Sequence, residues 1–262
     1  MIPIEIIDTH IHSIFRSNDD FISLVSKGIT KAISVTFYPI VPLYSNTLID
    51  LFDWIVEDEP RRTKSTGIII LPAIGIHPRS IPKDLSNENL QKFKLKLQNA
   101  IEEKKIVALG EIGLESANAK EKEVFDFQLQ IAKEFDFPVI VHTPRRNKKE
   151  ITEKSIELLL KNKIEKGVLD HIDEQNYSLA KKISLNLGLT VQIGKLTPEN
   201  FYKIVNENEH EIDRFVLNTD IGRDEADLYA AYKVIKILKN KEFNKSKIDL
   251  IASKNAKKLF NL

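Results

Sequence analysis

Residues 4–13 read IEIIDTHIHS, a short β-rich run that ends in two histidines, His10 and His12. Alternation with period two turns side chains at i and i+2 to the same side of a strand, so both imidazoles face one way. The context recurs along the chain. Glu111 follows Ala108, Leu109 and Gly110, His142 ends PVIVH, His171 ends GVLDH, and Asp220 follows FVLNT. Parallel strands that each end in such a residue converge, in a closed barrel, on one open face.

Working outward, β-rich runs are expected at 4–9, 32–37, 68–76, 106–111, 139–142, 167–170, 189–193 and 214–219. Helical patterns lie between them. In 120–135 the apolar face is read as Val124, Phe127, Gln128, Ile131 and Phe135; in 147–160 it is Ile151, Ser155, Ile156, Leu158 and Leu159. Each parallel neighbour needs a crossover, so the alternation predicts an α/β fold, a (β/α)8 TIM barrel, with a doubly wound open sheet as the alternative. The segment 38–44, with Pro39 and Pro42, reads as a loop after the second strand, and Pro78 and Pro82 break the chain after the third. The tail from Ser246 is expected to add one C-terminal helix on the outside of the barrel, and residues 1–262 to form a single barrel domain.

Composition narrows the setting. A length of 262 residues with 42% hydrophobic content suits one barrel. Against 39 Lys and Arg stand 38 Asp and Glu, and a net charge of +1 argues against a surface built for long duplex. Cysteine is absent, which excludes disulfides and thiolate ligands and leaves imidazole and carboxylate for any metal site. With no apolar stretch of spanning length and no leader-like start, the expectation is a soluble cytoplasmic protein without a membrane partner. Nothing in the sequence speaks to oligomeric state.

Four of the six histidines and two carboxylates fall at the ends of strands one, four, five, six and eight. Imidazole and carboxylate suit zinc, manganese, nickel or magnesium, and six ligands are too many for one catalytic ion that keeps an open position. Two divalent ions are therefore expected: His10, His12 and Asp220 on one, His142 and His171 on the other, and Glu111 between them. A buried Glu111 demands positive charge nearby, and 106–114 contains no basic residue. His77, after the third strand, is placed to touch substrate or a leaving-group oxygen. Arg79, Arg145, Arg146, Lys195 and Arg223 fall just beyond strand ends, where they could clamp an anion.

Together IDTHIHS, AIGIHP around His77, ALGEIGLE around Glu111, VIVHT, VLDHID and LNTD make the chain resemble the TatD family of metal-dependent hydrolases, within the amidohydrolase-like barrel superfamily. The match spans nearly the whole chain in the family's order. It implies a TIM barrel with two divalent ions and nuclease or phosphoesterase activity. The family pattern carries a Glu where Asn218 stands, a Pro after the last Asp where this chain continues IGRDE, HTRxA where it reads HTPRRN, and a His-Cys-Phe-Ser-Gly ending on the sixth strand. These departures mark a divergent, archaeal-type branch, to which the metal site carries over and the substrate does not.

The resulting expectation is a metal-dependent hydrolase, a phosphodiesterase or 3′-5′ deoxyribonuclease, acting on a small anionic substrate or short single-stranded DNA ends. A hydroxide activated between the two ions attacks phosphorus, with Asp220, Glu111 and His77 as catalytic groups. The alternatives are an amide, ester or lactone hydrolase with the same centre, and a catalytically silent metal-binding barrel. An adenosine-type deaminase would need a His-Ala-x-Glu segment, which is absent.

Overall fold

The computed structural model describes residues 4–223 and 225–262; Asp224, within IGRDE, lies outside them. Eight parallel strands run in sequential order: β1 (Ile6–Ile11), β2 (Ile29–Val35), β3 (Ile69–Ile74), β4 (Ala108–Gly113), β5 (Val139–His142), β6 (Gly167–Leu169), β7 (Asn186–Thr190) and β8 (Phe215–Asn218). Beyond the end of β8 the sheet returns to β1. Ile221 bridges Ile11 in parallel, the Asp220 N–H donates to the His10 carbonyl at 2.8 Å, and the His12 N–H donates to Ile221 at 2.8 Å. The barrel is a TIM barrel, and the open-sheet alternative falls.

Register shifts just before the site residues break simple alternation in β1 and β4. From Asp8 to Ile11 β1 advances three residues while β2 advances two, from Ala32 to Ser34. From Gly110 to Ile112 β4 advances two while β5 advances one. Each extra residue flips the phase of the side chains that follow. Ile7 and Ala108 therefore fill the barrel interior, yet His10 and Glu111, each three residues further on, face inward as well. Gly110 is part of the device, since a Cβ there would lie 2.8 Å from the Ile140 Cβ.

The amino end of the barrel is filled by Ile7, Ile33, Ala73, Ala108, Ile140, Val168 and Val216. Ala256 and Phe260 join this cluster. The C-terminal segment thus differs from the expected outer helix. Its first turns, Lys245–Asp249 and Leu250–Lys254, do pack outside through Ile248, Ile251 and Ala252, but Asn255–Phe260 turns under the barrel and plugs it. The apolar floor offers that helix more burial than the exposed rim of the outer layer.

Helix Ala119–Glu134 also buries a face rotated from the expected one. Phe125 and Leu129 are buried with Val124, Gln128 and Ile131, whereas Phe127 and Phe135 are only partly covered. Gln128 is inside because its amide bonds both backbone groups of Ile76, accepting from N at 2.6 Å and donating to O at 3.1 Å. In Lys148–Lys161 the buried face is Ile151, Thr152, Ser155, Ile156 and Leu159, with Leu158 at its margin. Among the described residues no helix is long and apolar enough to cross a membrane.

Candidate metal centre

All six strand-end residues meet at the carboxyl end of the barrel, with His77 beside them. Glu111, 2% exposed, is the hub. Its Oε1 lies 2.8 Å from His142 Nδ1 and 3.2 Å from His171 Nε2. Its Oε2 lies 3.4 Å from His10 Nε2, 4.0 Å from His12 Nε2 and 3.5 Å from His77 Nε2. The carboxylate thus divides its neighbours into two sets. Asp220 completes one of them, its Oδ1 lying 3.0 Å from His12 Nε2 and 3.5 Å from His10 Nε2. The positive charge that a buried Glu111 demands comes from imidazoles.

Local structure explains how each side chain arrives. His10 and His12 follow the phase shift in β1. The Gln128 clamp on Ile76 holds the segment that leads to His77. His171 and Asp220 sit just beyond β6 and β8 with left-handed backbones, φ 58° and 50°, a conformation that costs a non-glycine residue about 1–2 kcal/mol. Such strain persists only where surroundings enforce it. Here the Asp220 N–H is tied to the His10 carbonyl, and the Thr143 hydroxyl donates to Asp170 O at 2.7 Å, next to His171.

Electrostatics follow from burial and neighbours. Burial opposes charge on His10 and His142, but facing carboxylates outweigh it. Glu111 and Asp170 hold His10 well above its ordinary value, and Glu111 with Glu115 raise His142 to about 9. His77 and His171 are driven well below theirs by burial, with Lys195 adding to the effect at His171. Glu111 and Asp220 remain ionised despite burial, Glu111 through the charge on His10 and His142, Asp220 through Lys195. Lys195 hydrogen-bonds Asp220 Oδ2 and lies 3.1 Å from His171 Nδ1.

The donor set fits a cation. His10 Nε2 is fully buried and has no hydrogen-bond partner. Ligand atoms gather within 4.8 Å of one another in three overlapping groups: His10, His171 and Asp220; His10, His12 and Glu111; His77, Glu111 and His142. Imidazole and carboxylate oxygen suit zinc and the harder divalent ions. His77 differs from the rest, because its Nδ1 accepts the Arg79 backbone N–H at 3.0 Å. A neutral ring so bonded carries its hydrogen on Nε2, facing Glu111.

The centre opens into a cavity of about 590 Å³ whose wall includes Arg79, Arg145, Arg146, Lys195 and Arg223, all five expected anion contacts. Three groups absent from the sequence reading join them. Glu115 Oε2 lies 2.9 Å from His142 Nε2, Lys148 pairs with Asp173 at 2.6 Å, and Phe37 lies under the Arg79 guanidinium at 5.5 Å. Glu115 follows the fourth strand in the loop GLES, a position that spacing alone leaves among many exposed acids. Asp170, next to His171 in the chain, and Asp8, whose Oδ1 accepts from the Thr219 N–H at 3.0 Å, were likewise not among the expected site residues.

The sequence model of the family described as TatD related DNase matches residues 7–261. An uncharacterized metal-dependent hydrolase of Methanocaldococcus jannaschii is 32% identical over 260 residues, covering 98% of this chain and 100% of that protein. One of Bacillus subtilis is 28% identical over 229 residues, covering 78% and 85%. The crystal structure of a TatD-like protein from Archaeoglobus fulgidus superposes with a TM-score of 0.80 at 32% identity, covering 98% of this chain and 100% of that one.

Proposed function

The chain belongs to the TatD family of metal-dependent hydrolases, and from that premise we propose a two-cation phosphodiesterase that shortens single-stranded DNA from its 3′ end. His10, His12, Asp220 and Glu111 would hold one cation, and His142, His171 and Glu111 the other. The observation that carries this pairing is the division of the histidines between the two oxygens of Glu111. Divalent cations, when bound, polarise a phosphoryl oxygen and lower the pKa of water at the centre.

The chain's own groups do the rest. Asp220 keeps Oδ2 on Lys195 and leaves Oδ1 to orient water or accept its proton. His77, with its hydrogen on Nε2, is a neutral donor for a substrate or leaving-group oxygen. Arg79, Arg145, Arg146 and Arg223 line the approach and favour an anion. A cavity of about 590 Å³ suits a strand end rather than a duplex, as does a net charge of +1.

The test uses the full chain, stripped and reloaded in turn with zinc, manganese, nickel or magnesium. It is offered an end-labelled oligonucleotide, bis(4-nitrophenyl) phosphate, a nitrophenyl ester and a lactone. Metal-dependent loss of nucleotides from the 3′ end is expected. Turnover of the ester or lactone without either phosphodiester would replace this reading with carbonyl hydrolysis, and metal binding without any turnover would indicate a silent barrel.

A further inference from the structure

Asp170, the residue after β6, is fully buried, and the chemistry proposed above does not use it. Its Oδ2 lies 2.7 Å from His10 Nδ1 and its Oδ1 accepts from Asn218 Nδ2 at 2.7 Å. Asn218, on β8, is also fully buried. The three side chains form a line across the barrel that ends at His10 Nε2, the atom without a hydrogen-bond partner. Gly188 on β7 makes the room: a Cβ there would lie 1.7 Å from Asp170 Oδ1 and 2.9 Å from Asn218 Nδ2. The backbone is fixed as well, with the Asp170 N–H donating to Val141 O at 2.8 Å and its carbonyl accepting from Thr143 Oγ1.

A buried carboxylate is costly unless its oxygens are bonded, and here each meets a donor. A carboxylate can only accept, so His10 Nδ1 carries the hydrogen and the ring presents Nε2 to the centre. We infer that Asp170, held by Asn218, is the positioning residue that fixes His10 with Nε2 toward the cation; this rests on the reading of His10 as a ligand. An amide at 218 is what the line requires. A second carboxylate 2.7 Å from Asp170 would place two like charges in contact in a dry site.

Asn218 Oδ1 has no partner, so its amide can turn over when the neighbour changes from acceptor to donor. Asp170→Asn therefore removes the charge and keeps the orientation, whereas Asp170→Leu removes both. Zinc is the probe, its affinity for the full chain read by competition with a chromogenic chelator. Asp170→Leu should weaken zinc binding roughly 10- to 100-fold, and Asp170→Asn should recover part of that loss. In zinc-loaded wild-type protein with 15N-labelled histidine, NMR should find the His10 hydrogen on Nδ1. Wild-type zinc affinity in Asp170→Leu overturns the inference. So does a hydrogen on Nε2 of zinc-loaded His10, a result that does not depend on any variant folding. His10→Gln separates the two readings: a loss there without one in Asp170→Leu sinks only the role of Asp170, and unchanged affinity in both sinks the ligand reading too.

Discussion

The two ends of the barrel are made by the same strands and do opposite things. At the amino end Ile7, Ala108, Ile140 and Val216 meet Ala256 and Phe260 in a dry apolar floor. A few residues further along, β1, β4 and β5 deliver His10, Glu111 and His142 to a cluster of charges, and the chain beyond β8 adds Asp220. Burial of large apolar side chains stabilises the floor by about 1.5–3 kcal/mol each. The mouth costs stability, since two carboxylates lose water and two residues adopt left-handed backbones. The contrast teaches that stability and chemistry are divided along each strand rather than between strands.

If that division holds, a change at the mouth should erase activity and leave a cooperatively folding barrel. Glu111→Gln is the largest case: metal-supported turnover should fall at least about 100-fold, beyond what loss of an outer-shell partner causes. Full activity in that variant would sink the assignment of Glu111 between two cations. At the other end Phe260→Ala should lower unfolding free energy in urea by about 3 kcal/mol and leave zinc affinity of the folded protein unchanged. A matching loss of zinc affinity would show the two ends to be coupled.

Away from the barrel axis the expected effects are smaller. Glu59 is buried and accepts from Trp54 Nε1 at 2.8 Å and from Arg62 at 2.7 and 3.0 Å. Burial opposes its charge, yet Arg62, Ser13 and Trp54 hold its carboxyl below the ordinary 4.5. A lowered folded value means stability present above about pH 4.5 and lost as pH falls through it. Glu59→Gln should therefore cost about 1.5–3 kcal/mol near pH 7, with the gap in Tm from wild type closing below pH 4.5. Least of all, Arg145→Ala with Arg146→Ala should raise KM for a phosphodiester roughly tenfold and leave kcat near wild type, the loss of a charged hydrogen bond at the exposed rim. An unchanged KM would remove both from the substrate path.

Much of the site was legible because its signals are local. Each of the six strand-end residues closes an apolar run, and the barrel follows from alternation of strands and crossovers. The gaps have physical causes. Edges of β1, β2, β4 and β7 lie two or three residues from their expected places because pairing partners set strand ends. The buried face of Ala119–Glu134 was misread because Phe127 looks apolar in sequence, while Gln128 is inside only to satisfy the Ile76 backbone. Glu115 and Asp170 were missed because an acid earns its role from what faces it across the barrel.

The parallel barrel, the order of its elements and the six residues at its mouth are written in local sequence, since periodicity and strand-end position are properties of a few consecutive residues. Only the tertiary structure decided which way those residues point and with whom. The phase shifts in β1 and β4 depend on register against β2 and β5. Likewise the split of the histidines between the oxygens of Glu111 and the line from Asn218 to Asp170 to His10, whose last link joins residues 160 apart in the chain, exist only once the barrel is assembled.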